Sequence, residues 1–562
     1  MSRRARLERR IASLAVAVVL LASSASRAEI VELTVVHTND IHGGIDPTGA
    51  TYMNRDFPPR LGGAASMITF LEGVRAKVRE RGGHLLVVDS GDTFQGTPIG
   101  TLTKGRAVID FMNAAGYDVL ALGNHDFDEG AQNTRELVDR ADFPVIAANL
   151  FSEETGRVVD WVEPWIVREF GALKVGLVGL ITPETENMSF PANVAGLDFA
   201  PMAPVLRDAI RELEAQGVDV VLAVGHVGIP YDPEVHYDRM MREGWPADGD
   251  PRSTAMDVAH TVTGLDAFFC GHIHRGFDDA WEMPETHTLL FQTYGRGSGA
   301  GVVTLSIDTD TNQIVGYRFW TERGYLVTFF EDQFWPDAPM RERIASEVAH
   351  AEAGMDEIIG QATEKLSRGG DGENAMGNAV CDAMLEETGA DFAFTNLGGI
   401  RDEIAAGPVT PRDIFRVLPF GNKMVVFEMS GELLREVVET RVSANHHGLH
   451  IAGGRVVYNQ TRPDFDRVTS FEIGGKPWSP TATYRVATSD FLAKGNADLK
   501  MLPEVPEEKL TYTGKMMREA LEAWFARHSP VSPTVDGRWI RDDSSTPTPA
   551  MREAAQRSLP TP

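Results

Sequence analysis

HLLVVDSGD (84–92) runs through four aliphatic residues and stops on Asp-Ser-Gly-Asp. An unbroken apolar run of this length, closed by turn residues, is the pattern of a strand buried on both faces. The same form returns in VELTVVHTND (31–40), YDVLALGNHD (117–126), KVGLVGLIT (174–182), DVVLAVGH (219–226) and LDAFFCGHIH (265–274). Helix-like stretches such as SMITFLEGVRAKVRERG (66–82) and VLRDAIRELEAQG (205–217) lie between them. Strand–helix alternation predicts an α/β layered core whose chemistry sits at the carboxyl ends of the strands.

Five of these strands end in metal-type side chains: Asp40 and His42, Asp92, Asn124 with His125 and Asp126, His226, and His272 with His274. Each group alone is ordinary, since a single His at a strand end is more often a hydrogen-bonded core residue. Gathered at one sheet edge they are not, because burying so many polar groups together is costly unless something charged neutralises them. A pair of divalent cations does this most simply. Imidazole nitrogen and carboxylate oxygen without thiolate suit zinc, manganese, cobalt or iron. One carboxylate can bridge two ions ~3.5–4 Å apart, the arrangement used for in-line displacement at phosphorus.

The 562 residues exceed one ordinary core, and two domains are expected. The first 28 residues read as a secretory signal peptide: five arginines by Arg10, the apolar run 11–22, and small residues Ser26 and Ala28 before the expected cut. Twelve apolar residues are too few to span ~30 Å of hydrocarbon, so the mature chain is expected to carry no membrane span and to be periplasmic or extracellular. One domain is expected over 29–335, a linker helix over 336–357, a second domain over 358–540 and a disordered tail over 541–562, where Pro, Ser and Thr accumulate. The formal charge of −28, from 53 basic against 81 acidic residues, argues against a nucleic-acid polymer as partner. Cys270 and Cys381, the two cysteines, read as buried free thiols.

HTNDIHG, DSGDTFQG, GNHDFD, GHVG and GHIH, in this order, resemble the calcineurin-like metallophosphoesterases. ENAMGNAVCDAM, TNLGGIR, VLPFGN and the DFLA segment resemble the 5′-nucleotidase C-terminal domain, and together they are similar to secreted bacterial 5′-nucleotidases and UDP-sugar hydrolases. The resemblance implies a four-layer α/β/β/α sandwich followed by a second α/β domain. It also implies one metal held by Asp40, His42 and His274, another by Asn124, His226 and His272, and Asp92 between them. A water or hydroxide shared by the ions would attack phosphorus. His125 would stabilise developing charge and assist the leaving group, with Asp128 holding and polarising it. Asp126 reads as structural and His37 as packing.

By the same resemblance the second domain grips a nucleoside between Phe420 and Phe491, while Asn396, Gly398 and Arg401 contact substrate. Two departures stand out. GNADL (495–499) replaces the family's Gly-Gly-Asp-Gly-aromatic segment, so that its ribose-binding Asp falls on Ala497. Of the upstream arginines that usually help hold phosphate, Arg368 is the only nearby match. The expected substrate is therefore a small phosphorylated molecule, foremost a nucleotide, with UDP-sugars and 2′,3′-cyclic nucleotides as alternatives. Sulfur-oxidation thiosulfohydrolases share the fold and metals but lack the His of GNHD, and His125 argues against that branch. A catalytically silent surface-binding protein of the same fold is opposed by the complete ligand set. The chain is expected to act as monomer or homodimer.

Overall fold

The computed structural model describes residues 30–549 and Met551, apart from 51–52, 55–56, 191, 370–371 and 444–447. The expected signal peptide and the end of the expected tail (552–562) lie outside the described residues.

The strand Ile30–Thr38 pairs in parallel with His84–Asp89 and antiparallel with Gly299–Asp308. Val119–Ala121 and Val145–Ile146 extend this sheet on the His84–Asp89 side. A second sheet carries Trp165–Phe170, Leu173–Ile181, Val220–His226, Ala267–Cys270, Leu289–Gln292 and Trp281–Glu282 in spatial order. Alternate residues explain the layering. Leu33, Val35, Leu86 and Val88 face Leu177, Leu222, Val224 and Phe269 of the second sheet. Their neighbours Val36 and Val87 point the other way, onto Phe70, Leu71 and Val74 of the helix Gly63–Glu80 and Phe111 and Met112 of Arg106–Ala115. The second sheet turns Val178, Val221 and Phe268 towards Leu206 and Ile210 of Met202–Ala215 and Met256 and Val258 of Ala255–Thr261. Helix, sheet, sheet and helix therefore stack in four layers. Strands sandwiched in this way are apolar throughout, which is why the sequence shows runs rather than alternation.

The helix Ala338–Ala351 follows, its first turn capped by Asp337 Oδ1, which accepts the Met340 N–H at 2.8 Å. Met340 and Ile344 bury it against the first unit, and just beyond its end Arg412 of the second unit pairs with Glu352 and Asp356.

The second unit is built on a five-stranded sheet in the order Leu449–Ala452, Phe392–Asn396, Thr483–Ser489, Lys423–Ser430 and Leu510–Met516. Helices Ala375–Thr388 and Met517–His528 cover one face. The helix Gly431–Val442 and a four-stranded sheet that includes Val468–Ile473 and Trp539–Arg541 cover the other.

The described part of the expected tail, 541–549 and Met551, departs from expectation. Trp539–Arg541 pairs in parallel with Gly454–Tyr458, the Asp542 and Thr548 N–H groups donate to Tyr458 O and Thr469 O, and Met551 is buried in the core of this unit. Composition suggests disorder here; strand pairing and one buried methionine hold the segment instead. Among the described residues no helix is long and apolar enough to cross a membrane. Both cysteines are buried and free.

Candidate functional site

The polar strand ends converge at one edge where the two sheets meet. Asp40, His42, Asp92 and His274 bring one ligand atom each within 4.8 Å of one another, and Asp92, His226 and His272 do the same. Asp92 belongs to both groups. His226 Nε2 lies 3.0 Å from Asp92 Oδ2, and His274 Nε2 lies 3.2 Å from Asp40 Oδ1. Asn124 Oδ1 stands 3.1 Å from His272 Nδ1, completing the second group.

The backbone is bent to make this possible. Asp40, His42, Asp92, His272 and His274 all adopt positive φ, between 49° and 77°. Left-handed conformations are unfavourable for such residues and concentrate where surrounding structure over-determines a functional geometry. Packing does so here: a Cβ on Gly295 would stand 2.7 Å from the Asp40 carbonyl oxygen, so only glycine lets that chain pass beneath the aspartate.

Neighbouring groups fix each side chain. His42 Nδ1 donates to Gln95 O at 2.6 Å and His226 Nδ1 to Ser90 O at 2.7 Å. A carbonyl can only accept, so in the neutral rings both protons sit on the outer nitrogens and both inner Nε2 atoms carry lone pairs. Asn39 Nδ2 holds Asp40 Oδ2 at 2.5 Å, and the His272 N–H donates to the same oxygen at 2.9 Å. Asp126 Oδ1 accepts Thr93 N–H and O–H, and its Oδ2 accepts the N–H of Asp92 and of Gly123. His37 sits behind, between Tyr325 and Ser90 hydroxyls at 2.8 and 2.9 Å, outside both ligand groups. Of these supports, Asn39 and Gln95 stand inside the HTNDIHG and DSGDTFQG motifs, but nothing in the motifs marks them as the groups that orient Asp40 and His42.

This donor set fits divalent cations. His42 Nε2 and His274 Nε2 face each other at 2.9 Å, and Asp40 Oδ1 is buried with no hydrogen-bond partner among the described residues. The His42 lone pair, the His274 ring nitrogen and a carboxylate oxygen without a hydrogen-bond partner thus point at one place, an arrangement that positive charge satisfies. The protonation preferences of the imidazoles carry the same tension. Burial opposes a charge on His226, yet the adjacent Asp92 carboxylate, with Asp40 behind it, holds the imidazole up at about 10. His42 and His272 yield to burial and fall to about 3 and about 4.

Beside this cluster His125 Nδ1 meets Asp128 Oδ2 at 2.8 Å. Burial disfavours the imidazolium, but Asp128 and then Asp92 outweigh it and raise His125 to about 9. A proton-holding imidazole at the rim of the cluster is the group needed to stabilise a departing alkoxide.

The second unit reaches the same place. The Phe420 ring stacks on His125 with centroids 6.0 Å apart, and the Arg401 guanidinium lies 5.8 Å from the Phe420 centroid. Arg401 Nη1 donates to Gly398 O at 3.3 Å, and Asn396 leads into the turn Leu397–Gly399. Burial lowers Arg401, and the neighbouring cations Arg296 and Arg368 lower it further. Arg296, which stands in none of the motifs, is anchored on the metal-type cluster by its N–H to Asp40 O at 2.6 Å. Phe491 lies on the short helix Asp490–Ala493 against the second unit's core and, among the described residues, makes no ring contact with Phe420. Ala497 and Asp498 of GNADL both take left-handed conformations, with φ of 56° and 61°.

Comparison with known proteins agrees with this geometry. The family model for calcineurin-like phosphoesterase matches residues 33–276, and that for the 5′-nucleotidase C-terminal domain matches 357–504. The chain is 26% identical over 535 residues to protein UshA of Escherichia coli (strain K12), covering 90% of this chain and 92% of that one. It is 26% identical over 566 residues to snake venom 5′-nucleotidase of Crotalus adamanteus, covering 91% and 88%. The crystal structure of a 5′-nucleotidase precursor from Thermus thermophilus superposes with a TM-score of 0.75 at 26% identity, covering 91% of this chain and 99% of that one. The chain belongs to the calcineurin-like phosphoesterases that carry a 5′-nucleotidase C-terminal domain.

Proposed function

We propose that the chain is a metal-dependent phosphoric ester hydrolase that removes phosphate from nucleotides. The observation that carries this is the shared Asp92, standing between two groups of buried and half-buried ligand side chains with His125 and Asp128 at their rim. In this reading Asp40, His42 and His274 would hold one ion and Asn124, His226 and His272 the other, with Asp92 available to both groups. Bound divalent ions supply Lewis-acid charge to a phosphoryl oxygen and lower the pKa of water. The chain's own residues do the rest. His125 offers its Nε2 proton to the leaving oxygen while Asp128 keeps Nδ1 occupied and the ring charged. Asp126, Asn39, Ser90 and Gln95 hold the ligands' orientations. Arg401, backed by Arg368, faces the substrate's anionic portion, and Asn396, Gly398, Phe420 and Phe491 receive the organic portion.

Zinc, manganese and cobalt fit the nitrogen–oxygen donor set, with iron as a further candidate. The first 28 residues support export to the periplasm or beyond, and the mature chain acts as a monomer or homodimer. With Ala497 where the family places a ribose-binding carboxylate, discrimination among nucleosides is weaker than in relatives that retain it.

The test is a substrate panel on the purified mature chain, chelated and then resupplied with manganese, cobalt or zinc. AMP, UDP-glucose, 2′,3′-cyclic AMP and p-nitrophenyl phosphate are compared, each with His125→Ala. Metal- and His125-dependent turnover favouring AMP supports the nucleotidase reading. Preference for UDP-glucose or the cyclic ester reassigns the substrate, and no turnover at all refutes the enzyme.

A further inference from the structure

The LPFGN segment (418–422) of the second unit touches the catalytic loops of the first at two points. Phe420 lays its ring on the His125 imidazole, with planes 23° from parallel. One residue earlier, Pro419 O accepts from Gln95 Nε2 at 3.4 Å, and the Gln95 carbonyl is the acceptor that orients His42. Gln95 is buried, so this contact is sealed inside the junction between the units.

His125 needs such a contact. Its hydrogen bond to Asp128 holds Nδ1 and the Cβ–Cγ bond holds Cγ, so what remains to be set is the tilt of the ring plane that aims Nε2. That tilt is set by the rings packed on it, His42 of its own domain at 5.5 Å and Phe420 of the second domain at 6.0 Å between centroids, and Phe420 is the one that lies nearly parallel to it. Misplacing a reacting group by about 1 Å costs about a hundredfold in rate, so a ring that fixes the imidazole plane acts on the chemical step. A ring that only gripped a base would not.

Resting on the hydrolase reading above, we propose that the LPFGN segment is a positioning element for phosphate-ester cleavage itself. Phe420 sets the plane of His125, and Gln95 ties the same segment to the loop that aims His42. The second domain then supports the hydrolysis of esters that carry no base at all.

The experiment compares AMP with glycerol 3-phosphate, which has no ring to stack, on the full mature chain with its metals. Phe420→Leu is expected to lower kcat for glycerol 3-phosphate about tenfold with KM within about twofold, and Phe420→Tyr to restore it. Gln95→Ala, which leaves every backbone contact in place, is expected to move kcat the same way by a smaller factor, and keeps the test decisive should Phe420→Leu not fold. Independently of turnover, the His125 Cε1–H resonance is expected upfield in the parent and in Phe420→Tyr, but not in Phe420→Leu. Unchanged glycerol 3-phosphate kcat in both Phe420→Leu and Gln95→Ala, with only the KM for AMP raised, overturns the proposal and leaves Phe420 as a base platform. A parent chain that binds metal and cleaves neither ester removes the hydrolase reading and this inference with it.

Discussion

Asp126 accepts the backbone N–H of Asp92 at 3.1 Å, so the carboxylate shared by both ligand groups hangs from a residue two positions beyond Asn124. The same side chain takes Thr93 N–H at 2.9 Å, Thr93 O–H at 2.6 Å and Gly123 N–H at 2.8 Å. It is the joint between the DSGD and GNHD loops. Asp126→Asn keeps one acceptor oxygen but aims an NH₂ at donors. It is expected to cost about 2–4 kcal/mol in urea unfolding, because buried donors lose their partners. Metal stoichiometry should fall with it, and full metal content at parental stability would show that the loops stand without this joint.

His125 and Asp128 separate chemistry from metal binding. Neither is in a ligand group, so both variants are expected to keep their metals by elemental analysis. His125→Ala should lower kcat by about 10²–10⁴-fold, the range associated with a positioned proton donor. Asp128→Asn should lower it less, since the imidazole persists but loses the charge that keeps it protonated. Equal losses in both, with kcat and KM moving together, would instead mark the pair as a folding element.

Asp40 Oδ1 is buried without a partner among the described residues while two imidazole nitrogens meet at 2.9 Å. Removing metal with a chelator should therefore destabilise the first domain. Resupply at about 100 times the dissociation constant is worth about 2.7 kcal/mol for each ion, a rise of several degrees in Tm. Asp40→Asn should lose the share of this response that belongs to the ion held by Asp40, His42 and His274, and keep the rest. A parent whose melting ignores both chelator and metal would mean that the cluster is satisfied by other means.

What the sequence discloses follows from periodicity and chemistry. The strands flanking DSGD, GNHD and GHIH are legible because burial on both faces leaves unbroken apolar runs, and their ends because no core strand needs so many titratable groups. The left-handed backbone at Asp40, His42, Asp92, His272 and His274 is invisible in those letters, because glycine, the usual marker of such geometry, is absent at those positions. Phe420 can be matched to a motif, but its neighbour His125 lies almost three hundred residues away, and only the docking of the two domains brings them together. The segment from 541 reads as disordered because Ser, Thr and Pro in 544–549 outweigh, in composition, the strand Trp539–Arg541 that leads into it and the buried Met551.

Asp266, at the entry to the strand Ala267–Cys270, carries a pH dependence remote from the metals. Its Oδ2 accepts the Val221 N–H at 2.8 Å, yet burial pushes the carboxyl up to about 6. The folded pKa thus lies above the ordinary value near 4, so the folded state binds the proton more tightly than the unfolded chain does. The stabilising contribution is complete below pH 4 and is lost as pH rises through 6. Above that the ionised side chain burdens the fold by at most about 3 kcal/mol, at about 1.4 kcal/mol for each tenfold gain in proton affinity. Asp266→Asn keeps an oxygen for Val221 and cannot ionise. It is expected to exceed the parent by about 1–3 kcal/mol in urea unfolding at pH 8 and to match it at pH 4. Stability curves that run parallel from pH 4 to pH 8 would show that Asp266 is solvated enough to ionise freely in the folded chain.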